Sequence, residues 1–465
     1  MHTPSSAHKG LFGHLALSPI GAAVVLAATA LAAPASANTL TGWAQIAAAT
    51  FSDGPSSGQF AFSNSNSPAN NPPFVNLQPV QGFSGVLAGP VAGSYTVMVD
   101  NGFGSKASSA DALLRLYAVT PDWASHTVSA ADFNTGALLP AFTAASRLTL
   151  NDADRKLPFA IVADAATYPG SPIAVDAAIS SGRLLTGGDL DIESMRRDKA
   201  GKLWFGEEFG PFLVKAGANG TVQSVFRTPN VLGLGSNANV QSPSNPIPTG
   251  ANNLPGSGGF EGMALNASGS KLYTLLERPL TTDTNQSRLL VQEFDLASES
   301  YTGNWFGYKL DAAGTNIGDM TAIDDSRFLV IERNGVTATS ASGTPFKKIF
   351  MVDSSQLEVD GFALKTELVD LMNIADPNDL NGDGSTTFTF PYVTIEDLLI
   401  LDSNTLLVIN DNNFPGGGGR NLQSDNTEFL RISLANPVPE PSAWALMAGG
   451  LVLLGGCARR SKKRS

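Results

Sequence analysis

The hydrophobic and polar positions of this chain repeat as a two-part unit. Each unit contains an apolar run, a turn rich in Gly, Ser, Asn or Asp, and a second apolar run that ends in a carboxylate. Two apolar runs around such a turn predict a β-hairpin. The copies begin near positions 84, 193, 261, 319 and 396, and the first is the weakest because Ser84 replaces its leading acid.

The hairpins predict where their acidic residues meet. In an antiparallel hairpin, the first residue of one strand lies opposite the last residue of the other strand. The acids at both ends of a unit should therefore share one open edge. The expected pairs are Glu193 with Glu207 or Glu208, Glu261 with Glu277, Asp319 with Glu332, and Glu396 with Asp411.

The spacing of the copies predicts a radial fold. Successive copies are 58 to 109 residues apart, which leaves room for outer strands, and the longest interval has room for one further unit. We therefore expect an all-β chain folded as a six-bladed β-propeller, in which equivalent hairpin ends gather around one axis. The alternative is a β-sandwich whose acids are solvated turn residues, and the recurrence of both acids in each unit argues against it.

The composition agrees with short strands and shows that the body is acidic. Among 465 residues there are 47 Gly and 28 Pro, and only 15% of residues are charged. Residues 1–37 and 442–465 hold six of the 29 basic residues and none of the 41 acidic ones, so the body between them has a net charge of −18. This charge repels phosphate backbones and attracts cations, which argues against nucleic acid as a partner.

The body also lacks the residues of several familiar chemistries. Three of the four histidines and the single cysteine, Cys457, lie in the terminal segments, which leaves His126 alone in the body. A disulfide, a thiolate site and a His-rich zinc site are thereby excluded. His126 lies in a polar stretch outside the repeat, and we assign it no role.

The N-terminal segment has the pattern of a signal peptide. Lys9 precedes an uncharged run over residues 18–33, and small residues follow up to Ala37. This pattern predicts a signal peptide over residues 1–37, with cleavage by signal peptidase between Ala37 and Asn38. The run is short for a membrane anchor and ends in Pro34.

The C-terminal segment, residues 437–465, has three parts in a fixed order. Pro439-Glu440-Pro441 precedes sixteen uncharged residues, 443–458, and a basic tail, 459–465. This end resembles the PEP-CTERM sorting signal. The resemblance implies a single transmembrane sorting helix, transient insertion in the inner membrane, and cleavage near Pro439 by an exosortase-type transpeptidase. The destination would be the cell surface or extracellular matrix of a Gram-negative-type bacterium.

The body, residues 38–436, contains a set of short acid-containing motifs. They are Gly259-Phe260-Glu261-Gly262-Met263, Val330-Ile331-Glu332-Arg333, Asn410-Asp411-Asn412-Asn413 and the segments 81–84, 100–106, 191–194, 204–211 and 317–320. Through these motifs the body resembles the phytase-like domain family, also described as "esterase-like activity of phytase". The resemblance implies acid-rich propeller blades and a phosphoester-hydrolysing role.

A ring of carboxylates without His or Cys has the chemistry of a hard-cation site, with Ca²⁺ expected first and Mg²⁺ or Mn²⁺ as alternatives. Glu207 and Glu208 are further candidate ligands. Arg278 and Arg333 follow strand-end acids, so each either clamps phosphate oxygens or neutralises its neighbour. The candidate catalytic residues are Glu193, Glu261, Glu277, Asp319, Glu332, Glu396 and Asp411.

A separate candidate cation loop contains Asp379, Asn381 and Asp383. These residues match the opening of an EF-hand loop, but Phe390 stands where the bidentate Glu is required. The two interpretations are an isolated Ca²⁺ loop, completed by Asp376 or Glu396, and a turn stabilised by its own Asp and Asn side chains.

Two functions follow from the sequence. The first is an exported, metal-dependent phosphoric ester hydrolase that acts on a phosphoester. The second is a non-catalytic propeller that binds cations or exopolysaccharide in the extracellular matrix.

Overall fold

A computed structural model describes residues 37–63 and 71–439. The signal peptide other than Ala37, the transmembrane sorting helix and the basic tail, all predicted from sequence, lie outside the described residues, as do Glu440 and Pro441. No helix among the described residues is long and apolar enough to cross a bilayer. The body opens with β1 (Thr39–Ile46) and a small hairpin of β2 (Phe51–Asp53) and β3 (Leu77–Pro79).

Most of the remaining strands form antiparallel units, here called blades and numbered along the chain. Blades two to four are separate four-stranded sheets, whereas blades one and five are joined through β1 into one larger sheet. Blade one contains β4 (Phe83–Ala88), β5 (Tyr95–Val99), β6 (Arg115–Asp122) and β7 (Thr127–Ala130). Two 3₁₀ turns (Ala144–Ser146 and Val162–Asp164), β8 (Arg147–Thr149) and helix α1 (Ala177–Gly182) follow. Blade two contains β9 (Ile192–Arg197), β10 (Leu203–Glu207), β11 (Phe212–Ala216) and β12 (Val222–Arg227).

The second half of the body continues this order. Blade three contains β13 (Gly262–Leu265), β14 (Lys271–Leu275), β15 (Arg288–Asp295) and β16 (Ser300–Lys309). Blade four contains β17 (Asn316–Ala322), β18 (Arg327–Arg333), β19 (Lys347–Leu357) and β20 (Ala363–Asp370). After the short strands β21 (Ile374–Ala375) and β22 (Thr387–Phe388), blade five contains β23 (Ile395–Asp402), β24 (Thr405–Asn410) and β25 (Thr427–Ser433).

The first strand of each blade lies at a common axis. These inner strands are β4, β9, β13, β17 and β23, and each contacts the next around a closed ring in which β23 returns to β4. The prediction of an all-β propeller-type fold is confirmed. The described residues form five blades, which differs from the six predicted, because the interval between residues 84 and 193 holds outer strands, β8 and α1 rather than another four-stranded sheet.

Blade five takes its outermost strand from the start of the chain. β1 pairs antiparallel with β25, from Thr39 opposite Ser433 to Ile46 opposite Thr427. The Asn38 side chain accepts a hydrogen bond from the Ala435 N–H at 2.9 Å. The residue predicted to begin the mature chain is therefore fixed to the fold.

The strands near the axis are apolar on both faces because each blade packs between two others. Every residue of β5 and of β10 is buried. Met98 of blade one and Met195 and Phe205 of blade two belong to one apolar cluster. Full burial of a large apolar side chain stabilises the fold by roughly 1.5–3 kcal/mol, so this packing holds the inner strand ends in place.

Candidate metal centre at the propeller axis

One position on each inner strand directs its residue toward the axis. The pairing register shifts around Glu193 in blade two, Gly318 in blade four and Glu396 in blade five, which leaves each as an extra residue in its ladder. Ser84 lies in a similar irregularity of blade one, and Glu261 directly precedes the first paired residue of blade three. A β-bulge of this kind re-aims a side chain and is common beside active sites.

A second position at the axis comes from the end of the second strand of each blade. In each blade this residue lies at the end of the second strand or just beyond it, as Glu277 follows Leu275 in blade three. Four of the five equivalent residues are acids and one is basic. They are Asp100, Glu208, Glu277, Arg333 and Asp411.

The two positions bring buried carboxylates close together. The carboxylates form three overlapping groups, and within each group the ligand oxygens lie within 4.8 Å of one another. Every residue in these groups is buried, with at most 8% of its surface exposed. The groups are Asp191, Glu193 and Glu208; Glu193, Glu261 and Glu396; and Glu208, Glu261 and Glu277.

Arg333 supplies a positive charge inside these groups. Its Nη2 atom lies 2.8 Å from Glu396 Oε1, 3.3 Å from Glu261 Oε1 and 3.6 Å from Glu277 Oε1. Arg278 contacts Glu277 from the solvent side, with Nε 3.4 Å from Oε2, and its side chain is 45% exposed. Arg333 therefore acts as an internal counter-charge, whereas Arg278 remains accessible at the edge of the centre.

Burial and mutual repulsion favour the protonated form of these acids. Burial, followed by repulsion from Glu396 and Glu277, raises the pKa of Glu261 well above its usual range. Burial raises the pKa of Glu396 to about 8, although Arg333 opposes this shift. Burial also raises the pKa of Asp411 to about 6, against a hydrogen bond from the Asn413 N–H. Metal-free, the centre therefore holds protons near neutral pH.

A hard cation fits this set of residues. The Glu261 Oε2 atom is buried and accepts no hydrogen bond from the described residues, and leaving a charged oxygen in that state is costly. Neighbouring carboxylates are held in place by the backbone, since Glu208 accepts the Gly259 N–H at 3.0 Å and Asp411 accepts the Asn413 N–H at 2.8 Å. Buried, fixed and oxygen-only ligands are those that Ca²⁺ and Mg²⁺ prefer.

The raised pKa values predict an unusual pH dependence of stability. Between the pKa of an unfolded carboxyl, about 4, and the pKa near 8 of Glu396, the folded metal-free protein binds more protons than the unfolded chain. The free energy of unfolding should therefore fall as pH rises from 5 to 8, by about 1.4 kcal/mol per pH unit for each carboxyl that stays protonated only in the fold.

Urea unfolding in chelator at pH 5 and pH 8 measures this fall, and the same titration in Ca²⁺ is its control. The cation stabilises the ionised form, so the fall should shrink or reverse with Ca²⁺. Equal or greater stability at pH 8 in chelator would contradict the raised pKa values.

A comparison with known families assigns this chain to one of them. The family model for phytase-like proteins, described as "esterase-like activity of phytase", matches residues 78–414. The chain belongs to this phytase-like family. The matched segment contains all of the axial carboxylates described above. No curated protein sequence matches the chain.

Solved structures with similar folds are distant from this phytase-like protein. A luciferin-regenerating enzyme is 10% identical, covers 86% of this chain and 97% of its own, and has a TM-score of 0.35. The endo-arabinanase from Bacillus licheniformis is 10% identical, with coverages of 76% and 93% and a TM-score of 0.35. The calcium-binding protein regucalcin from Agrobacterium tumefaciens is 11% identical, with coverages of 84% and 98% and a TM-score of 0.34.

Glu332 does not meet Asp319, contrary to the pairing predicted from sequence. Ile317 lies opposite Glu332, and Glu332 immediately precedes Arg333 in β18, so their side chains point to opposite faces of the strand. There its carboxylate contacts the Tyr308 hydroxyl and the Lys365 ammonium, and accepts the Asp311 N–H at 2.6 Å.

Asp319 and Glu207 are buried near the axis but lie outside the three carboxylate groups. Asp319 pairs with Arg196 at 2.9 Å and accepts the Leu398 N–H at 3.0 Å. Glu207 accepts the N–H groups of Phe209 and Gly210 at 2.7 and 2.8 Å, which orders the loop after β10. Of the predicted alternatives for blade two, the structure brings Glu208 and not Glu207 to Glu193.

The structure adds axial residues that the sequence analysis did not select. Asp191 lies two positions before Glu193, a spacing that places side chains on one face of a strand, so this signal was present. Asp100 ends the weakest copy of the repeat and occupies the same position as Glu208. Arg196 and the fully buried Asp397 reach the axis without any signal in the hairpin pattern.

The loop around Asp379 forms hydrogen bonds within itself. Both carboxylate oxygens of Asp379 lie within 3.1 Å of the Gly384 N, and Asp383 accepts the Ser385 N–H at 2.8 Å. Asn381 donates to Asp383 at 2.9 Å. These contacts are those of a turn stabilised by its own side chains. Metal binding by this loop stays a prediction.

Ca²⁺ titration of a double variant tests that prediction. Ca²⁺ at a hundredfold excess over Kd should raise the free energy of unfolding by about 2.7 kcal/mol. Because the axial carboxylates provide the better ligand set, Asp379→Ala with Asp383→Ala should keep this Ca²⁺-dependent rise in melting temperature, while Glu261→Gln should reduce it. Loss of the rise in the double variant alone would assign the cation to the loop.

Proposed function

We propose that this protein is a metal-dependent phosphoric ester hydrolase that holds its cation at the propeller axis. Ca²⁺ is the first candidate for this cation. The observation that carries the proposal is the set of three overlapping carboxylate groups around Arg333. Glu193, Glu261 and Glu396 form the group in which acids from three different blades would hold the cation. A bound divalent cation would offset the charge of the ester and polarise its phosphorus–oxygen bonds.

The residues of the chain have separate roles in this proposal. Arg333 is committed to three glutamates, so it compensates charge and does not clamp the ester. Arg278, which is accessible, contacts a phosphate oxygen at the edge of the centre. In the hydrolysis, the oxygen of a water molecule bonds to phosphorus and releases a proton to a neighbouring carboxylate. The ester P–O bond breaks, and the oxygen of the leaving group gains a proton to give the alcohol. Burial raises the pKa of Asp411 to about 6, so this carboxyl would be able to supply that proton as a general acid.

A substrate screen tests the proposal. Purified protein is given phosphomonoesters, phosphodiesters and phytate, with Ca²⁺ or with chelator, and released phosphate or alcohol is measured. Turnover that requires the cation and is lost in Glu261→Gln supports the hydrolase. Tight Ca²⁺ binding without turnover of any ester would overturn it and favour the cation-binding propeller.

We also propose that the protein is exported and sorted through its terminal segments. Asn38 is fixed to the fold and Val438 is buried, so cleavage beside each leaves the body intact. Intact-mass measurement of surface protein from a native-like host should show a chain that starts at Asn38 and lacks residues 459–465. Retention of the basic tail in that fraction would contradict sorting by an exosortase-type transpeptidase.

A further inference from the structure

A cavity of about 480 Å³ opens beside the axial centre, between blades one and five. Its walls come from the segments that follow β5 and β24, and they include Asp100 and Asp411. Both acids occupy the strand-end position at the axis. The cavity therefore borders the centre through these two acids, which interact with Glu396. Its volume lies in the range of small-molecule binding sites.

The wall away from the axis is apolar and aromatic. Phe103, Tyr392 and Phe414 line it, and Val393 and Leu422 lie at its exposed edge. The Phe414 and Phe103 rings pack on Phe74, with centroids 5.5 and 6.3 Å away, so the wall is preformed. Aromatic walls of this kind bind flat apolar groups.

The charge of the cavity restricts its ligand further. No Lys or Arg is among the described residues that line it, while Asp100, Asp411 and Asp425 are. The negative charges of a group that carries several phosphates would be repelled by these acids, and no basic side chain among the described lining residues would offset the repulsion. Asn412, which is 2% exposed and lines the cavity, has an Oδ1 atom with no hydrogen-bond partner among the described residues, and this atom is an acceptor for a hydroxyl group.

We propose that this cavity binds the alcohol part of the ester, and that this part is an uncharged aromatic group rather than a phosphorylated inositol. The inference rests on the proposed function, because the axial centre would hold the phosphate. It predicts that aryl and arylalkyl phosphoesters are better substrates than phytate.

Binding of two phosphonates tests the cavity without any turnover. In Ca²⁺, benzylphosphonate and methylphosphonate present the same charged group, and only the first has a ring. Burial of a ring is expected to tighten binding roughly tenfold to a hundredfold, as measured by calorimetry. Val393→Trp, which fills the edge of the cavity, should remove this preference.

Two matched controls lie at the end of β19 and in the turn that follows it, on the outer side of blade four. Val359→Trp makes the same change as Val393→Trp at an exposed valine outside the cavity. This variant should keep the preference for benzylphosphonate. Leu422→Lys should strengthen phytate binding by adding the missing charge, whereas Leu357→Lys, at a leucine of similar exposure, should not.

The outcomes separate this inference from the proposed function. Equal binding of the two phosphonates, or a preference that survives Val393→Trp, overturns the inference even if esters are hydrolysed. A preference that Val393→Trp removes supports the cavity assignment even if no ester is hydrolysed, and in that case the proposed function alone fails.

Discussion

Replacing Glu261 by Gln should lower ester hydrolysis by at least about 100-fold while making the metal-free protein more stable. Mutating a residue that only holds a metal ligand in place lowers metal affinity or activity by about 10–100-fold. Glu261 is itself a candidate ligand and belongs to two of the three carboxylate groups. Its carboxylate also repels Glu277 and Glu396. Removing that repulsion should raise the free energy of unfolding at pH 8 in chelator by on the order of 1 kcal/mol.

Glu332→Gln is the matched control, since it makes the same chemical change at a buried glutamate outside the centre. Glu332 contacts Lys365 and Tyr308, so breaking this buried pair should destabilise the fold by about 3 kcal/mol. Turnover per folded molecule should stay unchanged. Melting temperature and turnover are measured on the same preparations, and the reverse pattern, a destabilised but active Glu261→Gln, would remove the axial acids from the mechanism.

Arg333→Met should be the most destabilising single substitution at the axis in the absence of metal. The change leaves Glu261, Glu277 and Glu396 without the guanidinium that contacts all three. Loss of one partner from a buried ion pair costs about 3–5 kcal/mol. Ca²⁺ should recover much of this loss, because a cation at the axis replaces the missing charge. Urea unfolding with and without Ca²⁺ measures both effects.

Arg278→Met provides the control for Arg333→Met. Arg278 contacts Glu277 but is largely accessible to solvent, so its loss should change stability by less than about 1 kcal/mol. If it also contacts the ester, it should raise the KM for phosphoesters more than it lowers kcat. Equal destabilisation by both substitutions would contradict the role of Arg333 as the residue that compensates the charge of the axial carboxylates.

The hairpin pattern was sufficient to predict the class of fold. Strand runs such as Leu203–Glu207 and Thr405–Asn410 lie where the apolar runs were read, because burial between blades requires continuous apolar sequence. The number of blades was not predictable in the same way. The interval after Asp100 is long because blade one has extended connections, and spacing alone cannot distinguish such segments from a blade.

The site was predictable where the acids of the repeat lie at the axial positions themselves. Glu261 and Glu277 meet at the axis as expected from a simple hairpin, and so do Glu396 and Asp411. The prediction failed for Glu332 because the acids of blade four lie one residue away from the axial positions. The register places Gly318 where blades two and five have Glu193 and Glu396, and Arg333 where they have Glu208 and Asp411. A Cβ at Gly318 would lie 1.9 Å from the Ile395 carbonyl oxygen, so the close approach of blade five to blade four requires glycine there.

The pairing of β1 with β25 also determines the order in which the protein can fold. The ribosome makes β1 first among the strands and β25 last, so β1 has no antiparallel partner until almost the whole body has been synthesised. Contacts between residues this far apart in sequence form slowly, and an unpaired strand edge is prone to aggregation in the meantime. Blades two to four can assemble from neighbouring strands during synthesis, whereas the ring itself closes only after the chain is complete.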